Sequence, residues 1–270
     1  MNSNSAIVPR LLVKPWGRDD LSPALVGDCD EAVGEIWFQP DAPLDTILTK
    51  YLFTSAKLSV QVHPKGELSP TGRGKDECWL ILDAAPGAQL ATGFRRDIGP
   101  DEIRGAARDG SIENLLAWRE VAANDFLYVP AGTVHAMGPG LTLVEVQQST
   151  DITYRLYDYG RDRPLHLEEA VRCAIGGEHP ADLRRTIDPS RTQMLVEGPL
   201  FSVAHIAGGE TGAVRERFEG AVQVIPLEGH CSTGGLTIAS GSSAQAENLG
   251  QVDLSDCSRC LVAGLPLTPR

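Results

Sequence analysis

The sequence predicts an all-β protein, a barrel or sandwich of short strands, on three observations. Its 28 glycines and 18 prolines punctuate many short runs of alternating or β-branched residues, the rhythm of an all-β chain. Helical periodicity is rare. Hydrophobic residues at 42% and charged residues at 22% match ordinary globular usage, and 270 residues suffice for one large β domain or two small ones sharing a core, with no disulfide or metal staple required.

Segments 33–38 (VGEIWF), 58–63 (LSVQVH), 77–82 (ECWLIL), 88–93, 125–129, 141–148 (LTLVEVQQ) and 152–157 (ITYRLY) read as strands in that order. Between Pro100 and Trp118, the residues Ile103, Ala106, Ala107, Ile112, Leu115 and Leu116 recur at spacings of three and four, broken near Asp109-Gly110. That pattern predicts two short helices inserted near 100–118. Segment 167–174 (LEEAVRCA) predicts a further helix. It leads into a connector rich in glycine, proline and charge that ends near Pro189. The connector is the expected boundary between a domain over 1–175 and a smaller C-terminal β domain over 190–270, in which 200–206, 221–226, 235–239 and 258–263 read as strands.

With 24 basic against 36 acidic residues the net charge is -12, so phosphate backbones and anionic lipids repel the chain as a whole. No nucleic-acid or membrane partner is expected, and an anionic ligand must be held by a local basic pocket. The N-terminal MNSNSAIVPRLLVKPWG lacks the basic segment and long apolar run of a secretory signal, and no apolar stretch approaches a membrane span, so a cytoplasmic location is expected. The six cysteines stand singly except for Cys257-Ser-Arg-Cys260, which has no second pair to complete a thiolate metal site. Reduced thiols are expected. The sequence carries no signal for an oligomeric state.

In LSVQVHP, Leu58, Val60 and Val62 share one strand face, which puts Ser59, Gln61 and His63 on the other. A solvated polar face would explain that segment alone. However, Gly74-Lys75-Asp76-Glu77 places a carboxylate at the entrance of the next strand, and Tyr128-Val-Pro130-Ala-Gly132-Thr-Val-His135 makes a tight turn that presents a histidine just after another. His135 by itself suits a hydrogen-bonded loop residue. Taken together, two imidazoles, a carboxylate and an amide suit zinc or another borderline divalent ion, with a position left open for water or a sugar oxygen.

The turn Pro130-Ala-Gly-Thr-Val-His135 resembles the second signature of the cupin superfamily, and Gln61-Val-His63 with Glu77 resembles a modified first signature. Six segments in order resemble the motifs of type I mannose-6-phosphate isomerases, especially the shorter bacterial form: Lys14-Pro-Trp-Gly17, Gly34-Glu-Ile-Trp37, Leu58 to Pro64, Gly74 to Glu77, Pro130 to His135 and Thr153-Tyr-Arg-Leu-Tyr-Asp-Tyr-Gly-Arg161. The likeness covers about residues 10 to 170; Asp76 stands where that family usually has Thr or Pro. The resemblance implies a cupin barrel (a double-stranded β-helix or jelly roll) with a degenerate second β unit. It also implies one zinc ion held by Gln61, His63, Glu77 and His135, and a catalytic arginine at Arg155. The implied enzyme interconverts D-mannose 6-phosphate and D-fructose 6-phosphate through an enediol. The alternatives are a cupin isomerase of another sugar phosphate and a non-catalytic sugar-phosphate-binding cupin.

Moving a proton between C1 and C2 of a sugar phosphate develops negative charge on the adjoining oxygens, which a divalent cation and a fixed guanidinium stabilise. In ITYRLY, Arg155 shares a face with Thr153 and Tyr157, opposite Ile152, Tyr154 and Leu156. Glu145, where the family carries an acid, is a candidate proton carrier, or else a buried partner that orients Arg155 or a ligand histidine. Lys75 is a candidate for proton transfer or for a substrate oxygen. There is no glycine-rich phosphate loop, so Arg95, Arg96, Lys57 and Arg161 are the candidates for the phosphate. Trp16 and Trp37 read as core or rim aromatics, and His166, His179, His205 and His230 as structural.

Overall fold

Alternation of side chains along short strands builds three antiparallel sheets over residues 4–267, the portion that this computed structural model describes. One sheet runs in the order Arg184–Thr186, Asp125–Val129, Glu77–Ala84, Leu141–Gln148, Ile47–Phe53, Val33–Phe38, Arg10–Arg18. A second runs Tyr154–Tyr157, Val60–Val62, His135–Met137, Gln89–Phe94, Leu116–Glu120. The two face each other across Leu52, Leu58, Trp79, Ile81, Leu90, Met137 and Leu143, which form the interior of a barrel. The outer face of the second sheet, with Val60, Val62, Phe94 and Leu156, is covered by Ile103, Ala106, Ile112 and Ala170 from the helices Pro100–Asp109, Ile112–Leu115 and Leu167–Cys173. Pro100 opens the first helix with Asp101 and Glu102 in its first turn, and Gly110 closes it in the left-handed conformation, the start and stop that the helix dipole and a missing Cβ favour.

The other face of the first sheet, with Ile36, Tyr51, Leu80 and Val144, packs on Val203, Ile225 and Leu261 of a C-terminal sheet. That sheet follows the order Ser5–Ala6, Ala244–Ala246, Val222–Thr233, Cys257–Gly264, Ser202–Ala207, Gln193–Glu197, with Leu236–Ala239 and Val252–Asp253 added to Val222–Thr233. Because the first sheet is covered on both sides, its strand ILTKYLF is buried at every position. Each fully buried large aliphatic side chain there contributes roughly 1.5–3 kcal/mol.

The inward face of these strands changes character along its length. Leu141 and Leu143 give way to Glu145 and Gln147, Ile81 and Trp79 to Glu77, and Leu52 to Lys50, all of them buried. The barrel therefore has an apolar end and a polar one, and the functional site occupies the polar end.

Two sequence expectations are corrected. Leu116–Glu120 is a strand rather than the tail of a helix reaching 118: Leu115 and Leu116 keep the helical spacing, but Ala91 and Phe94 offer a sheet edge, and Trp118 and Leu116 pair with them. Tyr157 does not share the face of Arg155. A register shift between Arg155 and Tyr157 turns the tyrosine under the helices beside Tyr154 and Leu156. In the connector, Arg184–Thr186 pairs with Asp125–Val129 and so joins the first sheet, while Ser5–Ala6 pairs with Ala244–Ala246 of the C-terminal one.

Candidate active site

On the second sheet, Gln61 pairs with His135 on one neighbouring strand and with Arg155 on the other, which sets an arginine, an amide and an imidazole in one transverse row. On the facing sheet, Glu145 pairs with Lys50 on one side and Trp79 on the other. His63 comes directly after the Gln61 strand, and Glu77 begins the Trp79 strand. Strand pairing thus gathers these residues from six separate stretches of sequence.

The Nε2 atom of His63 lies 3.5 Å from Glu77 Oε2, and that of His135 lies 3.5 Å from Glu77 Oε1. The ligand-type atoms of the three lie within 4.8 Å of one another, and all three side chains are buried. His63 Nδ1 donates to the carbonyl of Ile152 at 2.9 Å and His135 Nδ1 to that of Thr133 at 3.0 Å. A carbonyl can only accept, so each Nδ1 carries the proton and each Nε2 presents a lone pair to the cluster. Burial pushes His63 well below its ordinary pKa, and Lys75 and His135 add to the effect. Burial lowers His135 too, although Glu77 opposes it. Glu77 Oε1 is buried without a hydrogen-bond partner. Two neutral imidazoles and an orphaned carboxylate oxygen fit a divalent cation of the zinc type. Among the described residues, no other group of three His, Cys, Asp or Glu side chains is placed to hold a metal.

Gln61 adjoins this cluster: its Nε2 lies 3.1 Å from His135 Nε2, and its Oε1 accepts from Ser59 at 3.0 Å. Lys75 is buried with Nζ 2.9 Å from His63 Nε2 and 2.8 Å from Glu77 Oε2. Asp76, between them, faces away. It accepts from the Tyr128 hydroxyl at 2.6 Å and the Ala131 N–H at 3.1 Å, and so fastens the turn that delivers His135.

A cavity of ≈ 330 Å³ opens beside Gln61 and Lys75, lined also by Lys14, Glu35, Lys50, Glu145, Arg155, Arg163 and His166. Lys50 lies 3.1 Å from Glu145 and 3.5 Å from Glu35, and Lys14 lies 3.2 Å from Glu35. Burial opposes the charge of both Lys50 and Glu35, but their ion pairs outweigh it: the ammonium is held above its ordinary range, and the Glu35 carboxyl at about 2. Arg155 is half-buried, with Nε lacking a partner. Burial, the largest influence, pulls its pKa down, and Arg163 adds to this.

Sequence reasoning missed Lys14, Glu35, Lys50 and Arg163. The first two stand in the quoted motifs KPWG and GEIW, which were the available signal. None of the four phosphate candidates lines this cavity. Lys57 pairs with Glu113, and Arg95 Nε donates to the Leu116 carbonyl, beside a separate surface cavity of ≈ 460 Å³. Arg96 pairs with Glu102, and Arg161 bonds Asp158 and the Lys57 carbonyl. Trp16 is buried in the barrel interior and lines the cavity, whereas Trp37 is not among the lining residues and lies under the Lys50 ammonium at 4.5 Å, donating to Glu35 at 2.6 Å. His166 lines the cavity, its Nδ1 accepting from the Arg155 N–H at 3.3 Å. His179, His205 and His230 lie elsewhere, against Tyr128, Arg259 and Asp256.

An antiparallel barrel that gathers two imidazoles, a carboxylate and an amide at its polar end defines a cupin with a metal-type site. No family model matches the chain. It is 38% identical over 174 residues to the mannose-6-phosphate isomerase of Streptococcus mutans, covering 58% of this chain and about half (53%) of that relative. It is 32% identical over 238 residues to mannose-6-phosphate isomerase ManA of Bacillus subtilis, covering 81% of this chain and 75% of the relative. In fold it resembles the crystal structure of a Bacillus subtilis mannose 6-phosphate isomerase, with a TM-score of 0.75 at 24% identity over 98% of this chain and 100% of the other. It also resembles a zinc-bound mannose 6-phosphate isomerase, with a TM-score of 0.71 at 14% identity over 98% and 100%. The chain belongs to the mannose-6-phosphate isomerase family. Among the described residues no helix is long and apolar enough to cross a membrane.

Proposed function

We propose that this chain is a zinc-dependent aldose–ketose isomerase that interconverts mannose 6-phosphate and fructose 6-phosphate through an enediol, in a reducing cytoplasm that keeps its six cysteines free. The observation that carries the reading is the orphaned Glu77 Oε1, buried between two imidazoles beside a cavity lined with cations. His63, Glu77 and His135 would hold the ion, with the adjoining Gln61 amide as a further ligand. Once bound, zinc would supply positive charge that polarises the sugar carbonyl and orients its hydroxyls.

The protein's own groups do the rest. Arg155, with Nε unpartnered, stabilises the negative charge that develops on the enediol oxygens. Glu145 lines the cavity with a carboxylate, the kind of acceptor that proton transfer between C1 and C2 requires. Lys75 is a donor placed beside the ligand cluster and serves a substrate oxygen. Arg163 and His166, on the Arg155 side, take the phosphate.

The test is to supply zinc-replete protein with a panel of aldose 6-phosphates and assay for ketose. Fructose 6-phosphate from mannose 6-phosphate is expected. Ketose from a different aldose phosphate alone moves the substrate assignment. No turnover of any, with zinc bound, leaves a non-catalytic binder.

A further inference from the structure

Trp79 is fully buried, and its indole N–H is its one polar atom. A buried indole N–H needs a partner. Here Nε1 donates to Glu145 Oε2 at 3.1 Å across directly paired positions of neighbouring strands. From the opposite strand, Lys50 holds the other oxygen, Oε1, at 3.1 Å. The carboxylate therefore has a directional hydrogen bond at Oε2 and only an ion-pair contact at Oε1, which has no hydrogen-bond partner, so the indole is the contact that sets its orientation. The same indole meets the His135 ring edge-on, with centroids 5.3 Å apart at 70°. Phenylalanine or leucine would fill this core position; neither would bond the carboxylate.

We propose that Trp79 is a positioning residue for turnover: one indole holds Glu145 by its N–H while its ring braces His135, so that the proton carrier and the metal ligand keep a fixed separation. This rests on the reading of Glu145 as proton carrier in an isomerase. Trp79 itself lies behind both groups and touches no substrate.

Trp79→Phe keeps an aromatic ring and removes the donor. Zinc content and KM for mannose 6-phosphate should stay at wild-type values while kcat falls roughly 10- to 100-fold, the scale of one hydrogen bond to a charged group. A kcat within about twofold of wild type, or a loss matched by lost zinc, overturns the proposal. A second readout does not depend on activity. In protein labelled with nitrogen-15 at its tryptophans, the Trp79 indole proton should resonate downfield and exchange slowly. It should move upfield and exchange faster in Glu145→Leu, which leaves Trp79 in place. An unmoved signal overturns the clamp even if Trp79→Phe fails to fold. If wild-type protein isomerises no sugar phosphate while the indole signal moves, the isomerase reading fails and the clamp stands.

Discussion

The backbone N–H of Gly132 donates to the carbonyl of His63 at 2.8 Å, so the turn that delivers one imidazole is fastened to the residue that carries the other. Gly132 has φ +94, and a Cβ there would stand 3.0 Å from Ile175 Cδ1 and 3.1 Å from the Cys173 carbonyl. Gly132→Ala should therefore cost about 1–3 kcal/mol of stability and weaken zinc binding by displacing His135. Denaturant unfolding of the metal-free protein and a zinc titration check both. Unchanged affinity would show that the turn does not set the site.

His135→Ala and Arg155→Ala should separate metal holding from charge stabilisation. The first removes one of few ligands and should empty the site. The second should leave zinc content at the wild-type level and lower turnover by roughly 10²- to 10³-fold, the scale of one preorganised charge-stabilising donor. Metal analysis beside kinetics on the two variants distinguishes them. Near-normal turnover in Arg155→Ala, or full zinc occupancy in His135→Ala, would remove these roles.

Glu35 gives a signed pH dependence. Burial alone would raise its pKa, but Lys50, Lys14 and the Trp37 indole N–H together hold it at about 2, below its ordinary 4.5. A carboxyl depressed in the folded state contributes stability that is fully present above the unfolded pKa and is lost as pH falls through the folded one. Glu35→Gln should thus cost about 1–3 kcal/mol at pH 7, and the gap from wild type should close between 4.5 and about 2. Urea unfolding across that range measures it. A gap that widens toward acid would contradict the ion-pair assignment.

Asp158 is buried and accepts from Arg163 Nε and Nη2, both at 2.6 Å, and from Arg161 Nη1 at 3.1 Å. Asp158→Asn loosens the clamp that aims Arg163 into the cavity. Its expected signature is a KM for sugar phosphate raised by roughly 10-fold with kcat little changed, the pattern of lost uniform binding. Steady-state kinetics decide it, and a fall in kcat at constant KM would place Arg163 in the chemistry instead.

The gathering of His63, Glu77 and His135 was legible in the sequence only from the three segments taken together. Each has a bland reading alone, a solvated strand face or a hydrogen-bonded loop histidine, but two imidazoles and a carboxylate at strand ends make a metal-type set. Lys50 was not legible. It sits in ILTKYLF, a strand buried on both faces, where periodicity has no solvent side to report and a lone lysine carries no directional signal. The end of the helical insertion failed for a related reason: Leu115 and Leu116 satisfy helical spacing, while the strand edge that captures 116–120 comes from residues about 25 positions earlier. The face of Tyr157 was lost to a register shift, which alternation cannot foresee. Arg163 was overlooked for Arg161 because the two differ only in which way a short loop turns them.

The apolar end of the barrel, closed by Trp79, Ile81, Leu90, Met137 and Leu141, each at most 2% exposed, makes the cavity a cup with a solid floor. Nothing reaches the site through that floor, so on the reading proposed above the sugar both arrives and departs at the polar end. Aldose and ketose then compete for a single berth, so each direction of the reaction is throttled by its own product, and net flux follows the ratio of the two sugars in solution.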